Sequence, residues 1–192
     1  ERLNDIYELD EESNVGDECS ELIDLKYEDI SFEYRNDTPV LNNVNMHIKK
    51  GDKIAVIGDS GCGKTTLVKL LLRYYEPISG KILWNNHDIS TLNVNDLRKR
   101  FSYIRQDTFL FSGTVFDNIS MGNPNITVNE TLKLCEKLEL NAFIDSLPMG
   151  LDSYVEENGE NLSGGQRQKI AFIQAMIRKP ELLILEDRKS VV

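Results

Sequence analysis

The sequence has no run of roughly 18 apolar residues, so its 192 positions encode no membrane-crossing helix. Cysteine is scarce: Cys19, Cys62 and Cys135 are odd in number and far apart. That excludes a disulfide framework and a C-x-x-C metal pattern, and it fits a reducing cytoplasm. An excess of basic residues is missing as well. Lysines and arginines number 22 against 32 acids, for a net charge of −10. Such a chain repels phosphate backbones, which argues against a nucleic-acid partner. The acids are unevenly spread. Residues 1–37 hold 14 acidic and 3 basic side chains, and the other 155 residues hold 18 and 19. The acidic excess therefore belongs to the N-terminal segment. What remains is an ordinary globular balance, 40% hydrophobic and 28% charged, in a length that suits one medium domain.

Apolar spacing predicts a short helix over residues 1–12, followed by a linker to residue 24 rich in Ser, Asn, Gly and acids. Residues 25–34 alternate as a strand and 40–48 read as a second. Residues 53–57 read as a short apolar strand running into a glycine-rich loop, and 65–75 as an apolar helix. Strands are also expected at 81–84, 101–104 and 182–185, the last of them buried. The pattern turns helical over 114–147, with Pro and Asn punctuation, and 164–178 reads as a second strong helix. Strands alternating with helices indicate an α/β domain with a partly parallel sheet.

Residues 58–65 read G-D-S-G-C-G-K-T and fit G-x-x-x-x-G-K-[ST] at every fixed position. Gly58, Gly61 and Gly63 let backbone amides converge on phosphate oxygens, and the following helix presents its positive end to the same anion. Asp59, Ser60 and Cys62 fill the loop between them, Cys62 as a small loop residue and not as a redox centre. Lys64 is expected to reach the β- and γ-phosphates, and the Thr65 hydroxyl to ligate Mg²⁺. Thr66 completes the set of nucleotide-binding positions. This loop by itself leaves kinases, GTPases and many ATPases open.

Residues 162–166 read L-S-G-G-Q at the head of the second helix, about 100 residues after the loop and just before an apolar strand. A chance match to that pentapeptide is expected on the order of once in several thousand chains of this length. With these two motifs, residues 25–186 resemble the nucleotide-binding domain of ABC transporters. The resemblance implies an α/β P-loop NTPase core with a partly parallel sheet, an N-terminal antiparallel β region and a helical subdomain over about 108–162. The family's C-terminal part is expected to be missing. ATP and Mg²⁺ are the implied cofactors. Tyr34 resembles the aromatic that stacks on adenine. Gln106 resembles the glutamine that reaches the metal and senses the transmembrane partner. In the family, Ser163, Gly164, Gly165 and Gln166 face the nucleotide held by the opposite protomer. The implied partner is thus a second such domain, identical or not, arranged head to tail.

Residues 109–119, F-L-F-S-G-T-V-F-D-N-I, resemble exporters and not importers. Residues 147–159 are similar to the exporter x-loop, whose acidic residue, here Glu157, lies near the intracellular loops of the partner half. Residues 1–24 resemble the linker from a transmembrane domain fused upstream. The resemblance places the chain on the cytoplasmic face of a cell membrane, in a bacterium, and the V-E-E-N-G variant is similar to peptide and bacteriocin exporters. The alternative is a soluble ABC ATPase acting as a clamp in translation or DNA repair. Paired ABC domains or a coiled-coil insertion would mark that class.

One element departs from the family. After the apolar residues 182–185 the family has Asp and then a catalytic Glu, whereas this chain has Glu186 and then Asp187. Glu186 stands at the metal-side position and Asp187 at the water-positioning one. Residues 187–192, D-R-K-S-V-V, bear no resemblance to the D-loop, and they match one reading frame of a widely used synthetic sequencing adapter. They read as a non-native tail, with Glu186 an aspartate codon overwritten at its third base. Neither His47 nor His87 lies where the switch histidine belongs. The resemblance implies an ATPase in the full-length protein, and very slow hydrolysis or none is the expectation for this chain.

Overall fold

The computed structural model describes residues 15–34, 38–105 and 107–186. The expected helix over residues 1–12, Gln106, Asp187 and the tail lie outside the described residues. The chain divides into two compact units, Glu1–Lys99 and Arg100–Val192.

In the first unit β1 (Asp24–Glu33), β2 (Pro39–Lys49), β3 (Ser79–Trp84) and β4 (His87–Asp88) form an antiparallel sheet in the order β2-β1-β3-β4. Along β1 the buried positions change parity, from Leu25 and Tyr27 to Ile30 and Phe32. Strict alternation would turn one of these pairs to solvent. A bulge between Tyr27 and Ile30 absorbs the extra residue, with Asp29 at φ 52°. Asn45 holds it: the Asp29 N–H donates to Asn45 Oδ1 at 3.0 Å, and Asn45 Nδ2 donates to Asp29 Oδ1 at 2.9 Å. Gly80 is required beside the bulge, because a Cβ there would lie 2.2 Å from the Glu28 carbonyl oxygen. The Trp84 indole N–H donates to the Ser20 carbonyl at 2.8 Å, which anchors the stretch before β1.

Helix α1 (Lys64–Leu71) buries Thr66, Leu70 and Leu71. It is shorter than the helix expected to run to Tyr75. Arg73 adopts a left-handed φ of 55°. Its N–H donates to the Leu70 carbonyl at 3.0 Å, and that of Tyr74 to the Lys69 carbonyl at 2.9 Å. These two bonds form a Schellman end without the usual glycine. The Arg98 guanidinium, on α2 (Val94–Lys99), stabilises the turn by donating to the carbonyls of Leu72 at 2.8 Å and Arg73 at 3.3 Å. The strand expected over residues 53–57 is absent. Ile54, Val56 and Ile57 are exposed, and no described strand pairs with this segment. An apolar pattern makes a strand only where a neighbour supplies the hydrogen-bond ladder.

In the second unit β5 (Phe101–Ile104) pairs in parallel with β8 (Leu182–Leu185), Phe101 opposite Leu182 and Ile104 opposite Leu185. The expected helical stretch 114–147 is broken into α3 (Val115–Ser120), α4 (Val128–Lys137) and α5 (Asn141–Asp145) by left-handed residues at Met121 and Glu139. Thr114 caps α3 and Thr127 caps α4, each in a reciprocal box with the acid three residues on. The short strands β6 (Gly113–Thr114) and β7 (Tyr154–Val155) pair antiparallel. These pieces and α6 (Gly164–Ile177) close on a core that includes Leu110, Val115, Ile119, Phe143, Ile170 and Ile173. The strand β8 was expected to be buried, yet it is only half-buried and Leu185 is 61% exposed. Among the described residues it has a partner on one edge only. No helix among the described residues is long and apolar enough to cross a membrane.

Candidate functional site

The glycine-rich loop follows residues 53–57 and leads into α1. Gly61 and Gly63 have φ of 83° and 96°, a region that side chains with a Cβ avoid. Gly63 is also sterically enforced, since a Cβ there would lie 2.7 Å from the Leu41 side chain. Gly63 is the N-cap of α1, and no side chain caps this helix. Its positive end is therefore left for an anion to complement. The Lys64 ammonium folds back over the loop, donating to the carbonyls of Gly58 and Asp59 at 2.7 Å each, with Cys62 Sγ 3.5 Å away. The structure thus brings Gly58, Asp59, Cys62, Gly63 and Lys64 together around one turn. Ser60 and Cys62 are exposed on it. Thr65 follows on the first turn of α1, half-buried.

Tyr34 sits just past β1, and its hydroxyl lies 3.1 Å from the Thr66 hydroxyl. Thr66 is buried beneath the loop, so the structure joins these two expected site residues to each other directly. Around the Tyr34 ring are Phe32, Tyr75 and the Lys69 ammonium. Sequence reasoning passed over all three. Lys69 and Tyr75 carry no motif, and only the end of α1 brings Tyr75 to Tyr34.

In the second unit the L-S-G-G-Q segment builds the start of α6. Ser163 is the N-cap: its Oγ accepts from the Gln166 N–H at 3.2 Å, and Gln166 Oε1 accepts from the Ser163 N–H at 2.8 Å. Ser and Gln at this spacing are a capping box, a signal legible in the sequence that the motif reading did not use. Arg167 pins the approach to the helix, donating to the carbonyls of Gly159 at 3.1 Å and Leu162 at 2.7 Å. Gly164 and Gly165 lie on the first turn between the capping residues. A Cβ on Gly165 would meet nothing within 4 Å, and one on Gly164 only the far end of Arg167.

The Glu186 carboxylate accepts a hydrogen bond from the Tyr103 hydroxyl at 2.5 Å, and its N–H donates to the Ile104 carbonyl at 3.0 Å. The acid is thereby held at the end of the β5–β8 ladder. Tyr103, also unremarked in the sequence, is the residue that orients it. Among the described residues no three His, Cys, Asp or Glu side chains converge as a metal cage. The Thr65 hydroxyl in the first unit and, taken separately, the Glu186 carboxylate in the second are each a hard oxygen donor of the kind that suits Mg²⁺. Glu157 is exposed in the short turn Glu157–Gly159, ahead of the signature.

A family profile described as "ABC transporter" matches residues 41–188. The chain is 38% identical over 171 residues to "Multidrug resistance protein pgp-1" of Caenorhabditis elegans, which covers 88% of this chain and 13% of that protein. It is 37% identical over 194 residues to "Alpha-hemolysin translocation ATP-binding protein HlyB" of Escherichia coli, covering 100% of this chain and 27% of that protein. A solved structure, "Structure of a bacterial Atm1-family ABC exporter with ATP bound", matches with a TM-score of 0.86 at 29% identity, over 100% of this chain and 34% of that one. The chain thus spans between 13% and 34% of the length of these proteins.

Proposed function

The chain belongs to the ABC transporter family, and from that premise we propose that it is the ATP-binding motor domain of an exporter. Two copies of the domain, arranged head to tail, couple ATP binding and hydrolysis to export through a transmembrane domain joined by residues 1–24. The motor works at the cytoplasmic face of the membrane. The observation that carries this reading is the start of α6. Two glycines stand on a helix turn where none of the described residues crowds a Cβ. Glycine in a helix costs about 0.5–1 kcal/mol relative to alanine. A second body that approaches this turn closely accounts for that cost, and a nucleotide held by the other copy has the charge to match the helix end.

Within one copy, the division of labour follows from the groups in place. The Lys64 ammonium releases the Gly58 and Asp59 carbonyls and turns to the β- and γ-phosphates, neutralising charge as the nucleotide settles on the loop. Gly58 to Gly63 supply backbone donors, and Tyr34 offers its ring to adenine. Thr65, Gln106 and Glu186 would hold Mg²⁺, which would supply positive charge against the phosphates. Ser163, Gly164, Gly165 and Gln166 close the partner's site and exclude water from it. Gln106 links the metal to the membrane half, and Glu157 faces that half from the x-loop. Asp187 would position the attacking water from a carboxylate one methylene shorter than the family's glutamate, so turnover is very slow or absent.

The names of the relatives, a multidrug resistance protein, a hemolysin translocation protein and an Atm1-family exporter, favour export over the soluble clamp. A mixing experiment tests the head-to-tail arrangement. Lys64→Ala and Ser163→Arg chains, each alone, should fail to dimerise with Mg-ATP in analytical ultracentrifugation. Mixed, they should dimerise, because one loop and one signature are then intact across the pair. Failure of the mixture, with an unaltered chain that does dimerise, refutes the composite site.

A further inference from the structure

We infer that Tyr75 is a positioning residue for the nucleotide base: it fixes the ring of Tyr34 in the orientation that receives adenine. The inference rests on the reading of Tyr34 as the adenine platform and adds a residue that no motif marks.

Tyr34 lies beyond the last residue of β1 and is 44% exposed. A half-exposed aromatic at a strand end has several staggered rotamers open to it, and a stacking platform must keep one. Four contacts select it. Phe32, buried two residues earlier, meets Tyr34 with ring centroids 4.9 Å apart and planes at 88°. Thr66 holds the hydroxyl at 3.1 Å. The Lys69 ammonium lies 5.4 Å from the ring centroid and takes one face. Tyr75 forms the remaining wall, perpendicular at 5.2 Å and 89°, the geometry favoured by the ring quadrupoles.

Tyr75 also organises the other members. It packs on Phe32 at 5.6 Å, and Lys69 lies over its ring at 5.9 Å as well as over Tyr34. One aromatic therefore contacts two of the groups that hold the platform, in addition to the platform itself. Its place is not set by helix continuation. The left-handed turn at Arg73, clamped by Arg98, reverses the chain and returns residue 75 to the end of β1. Half of the Tyr75 side is open to solvent, so its burial alone does not explain an aromatic here.

Calorimetry on the 192-residue chain separates this role from simple support. Affinities for ATP and for inorganic triphosphate are measured for the unaltered chain and for Tyr34→Ala, Tyr75→Ala, Tyr75→Leu and Tyr75→Phe. Tyr75→Ala should weaken ATP about three- to tenfold and leave triphosphate within about twofold, because the phosphate loop does not touch residue 75. Tyr75→Phe should restore ATP binding, since the ring and not the hydroxyl makes the contacts. Tyr75→Leu, which fills the space without a quadrupole, should not restore it. It replaces Tyr75→Ala if thermal unfolding followed by Trp84 emission shows that variant to be unfolded. Unchanged ATP affinity in both Tyr75→Ala and Tyr75→Leu, with a loss in Tyr34→Ala, overturns the inference and spares the platform. Equal weakening of both ligands by a Tyr75 variant overturns it as well, by exposing general damage. ATP affinity unaffected by Tyr34→Ala removes the platform itself, and the inference falls with it.

Discussion

The two glycine-bearing helix starts of this molecule are built on opposite plans. At α1 the N-cap is a left-handed glycine and no side chain caps the helix. At α6 the cap is closed by the protein itself, Ser163 and Gln166 each satisfying the other's backbone donor. The open start leaves its positive end for a ligand to complement, and it places a lysine in the same loop to supply the counter-charge. The closed start is stable without a ligand and offers only a bare, uncrowded turn. In the function proposed above, the first region holds a nucleotide and the second completes a site held by another copy. Damage to the first should change affinity, and damage to the second should change stability, pairing or turnover while sparing affinity.

The largest effect is expected in turnover and tests that division most severely. Exchanging the acids, Glu186→Asp with Asp187→Glu, together with restoring the family's continuation in place of residues 188–192, should raise phosphate release at high protein concentration about a hundredfold, since each acid is displaced by one methylene and misplacement of about 1 Å costs that much. ATP affinity should not follow it. Next comes Lys64→Ala, which should weaken ATP binding at least about tenfold, roughly 1.4 kcal/mol. Equal affinity by calorimetry would remove the open start as the nucleotide site.

Smaller effects separate the caps. Ser163→Ala should cost about 1 kcal/mol in denaturant unfolding, with the ATP affinity of the single chain unchanged. Loss of affinity there would mean that α6 contributes to its own copy's site. Gly165→Ala should stabilise the chain by about 0.5–1 kcal/mol, because the added methyl meets nothing, and should abolish dimerisation with Mg-ATP. A destabilised variant, or one that still dimerises, breaks the argument from the bare turn.

The smallest effect concerns acid. The backbone N–H of Thr114 holds the Asp117 carboxyl below its ordinary range, and that of Thr127 does the same for Glu130. A depressed carboxylate adds stability above the ordinary carboxylate range and loses it as pH falls through the folded value. The caps of α3 and α4 should therefore weaken on acidification, while that of α6, made by a glutamine, should not. Asp117→Asn with Glu130→Gln should flatten the acid limb of thermal stability, and an unchanged limb would show that other groups set it.

The elements legible in the sequence were those whose signal is local. The glycine-rich loop declares itself because positive-φ glycines and a lysine must fall at fixed spacing, and Gly61 and Gly63 adopt the positive φ that the spacing predicts. Strand β5 was legible, as was most of α6. The helix end at Leu71 was not, because an arginine takes the left-handed position where glycine would have announced it. The bulge at Asp29 was hidden for the same reason. Gln106 and Asp187 fall outside the described residues.

By itself the sequence determined the anion-binding loop, the signature helix and the family, because each depends on residues close together in the chain whose backbone demands few alternatives meet. Tertiary structure alone decided which apolar segments became paired strands. Residues 53–57 and β8 carry similar apolar patterns, yet among the described residues only β8 has a strand partner, since a strand is made by its neighbour's hydrogen bonds and not by its own side chains. Tertiary structure also decided what surrounds Tyr34. Phe32, Thr66 and Lys69 meet there, and Tyr75 joins them through a turn held by Arg98, a distant side chain that no local pattern could connect to it.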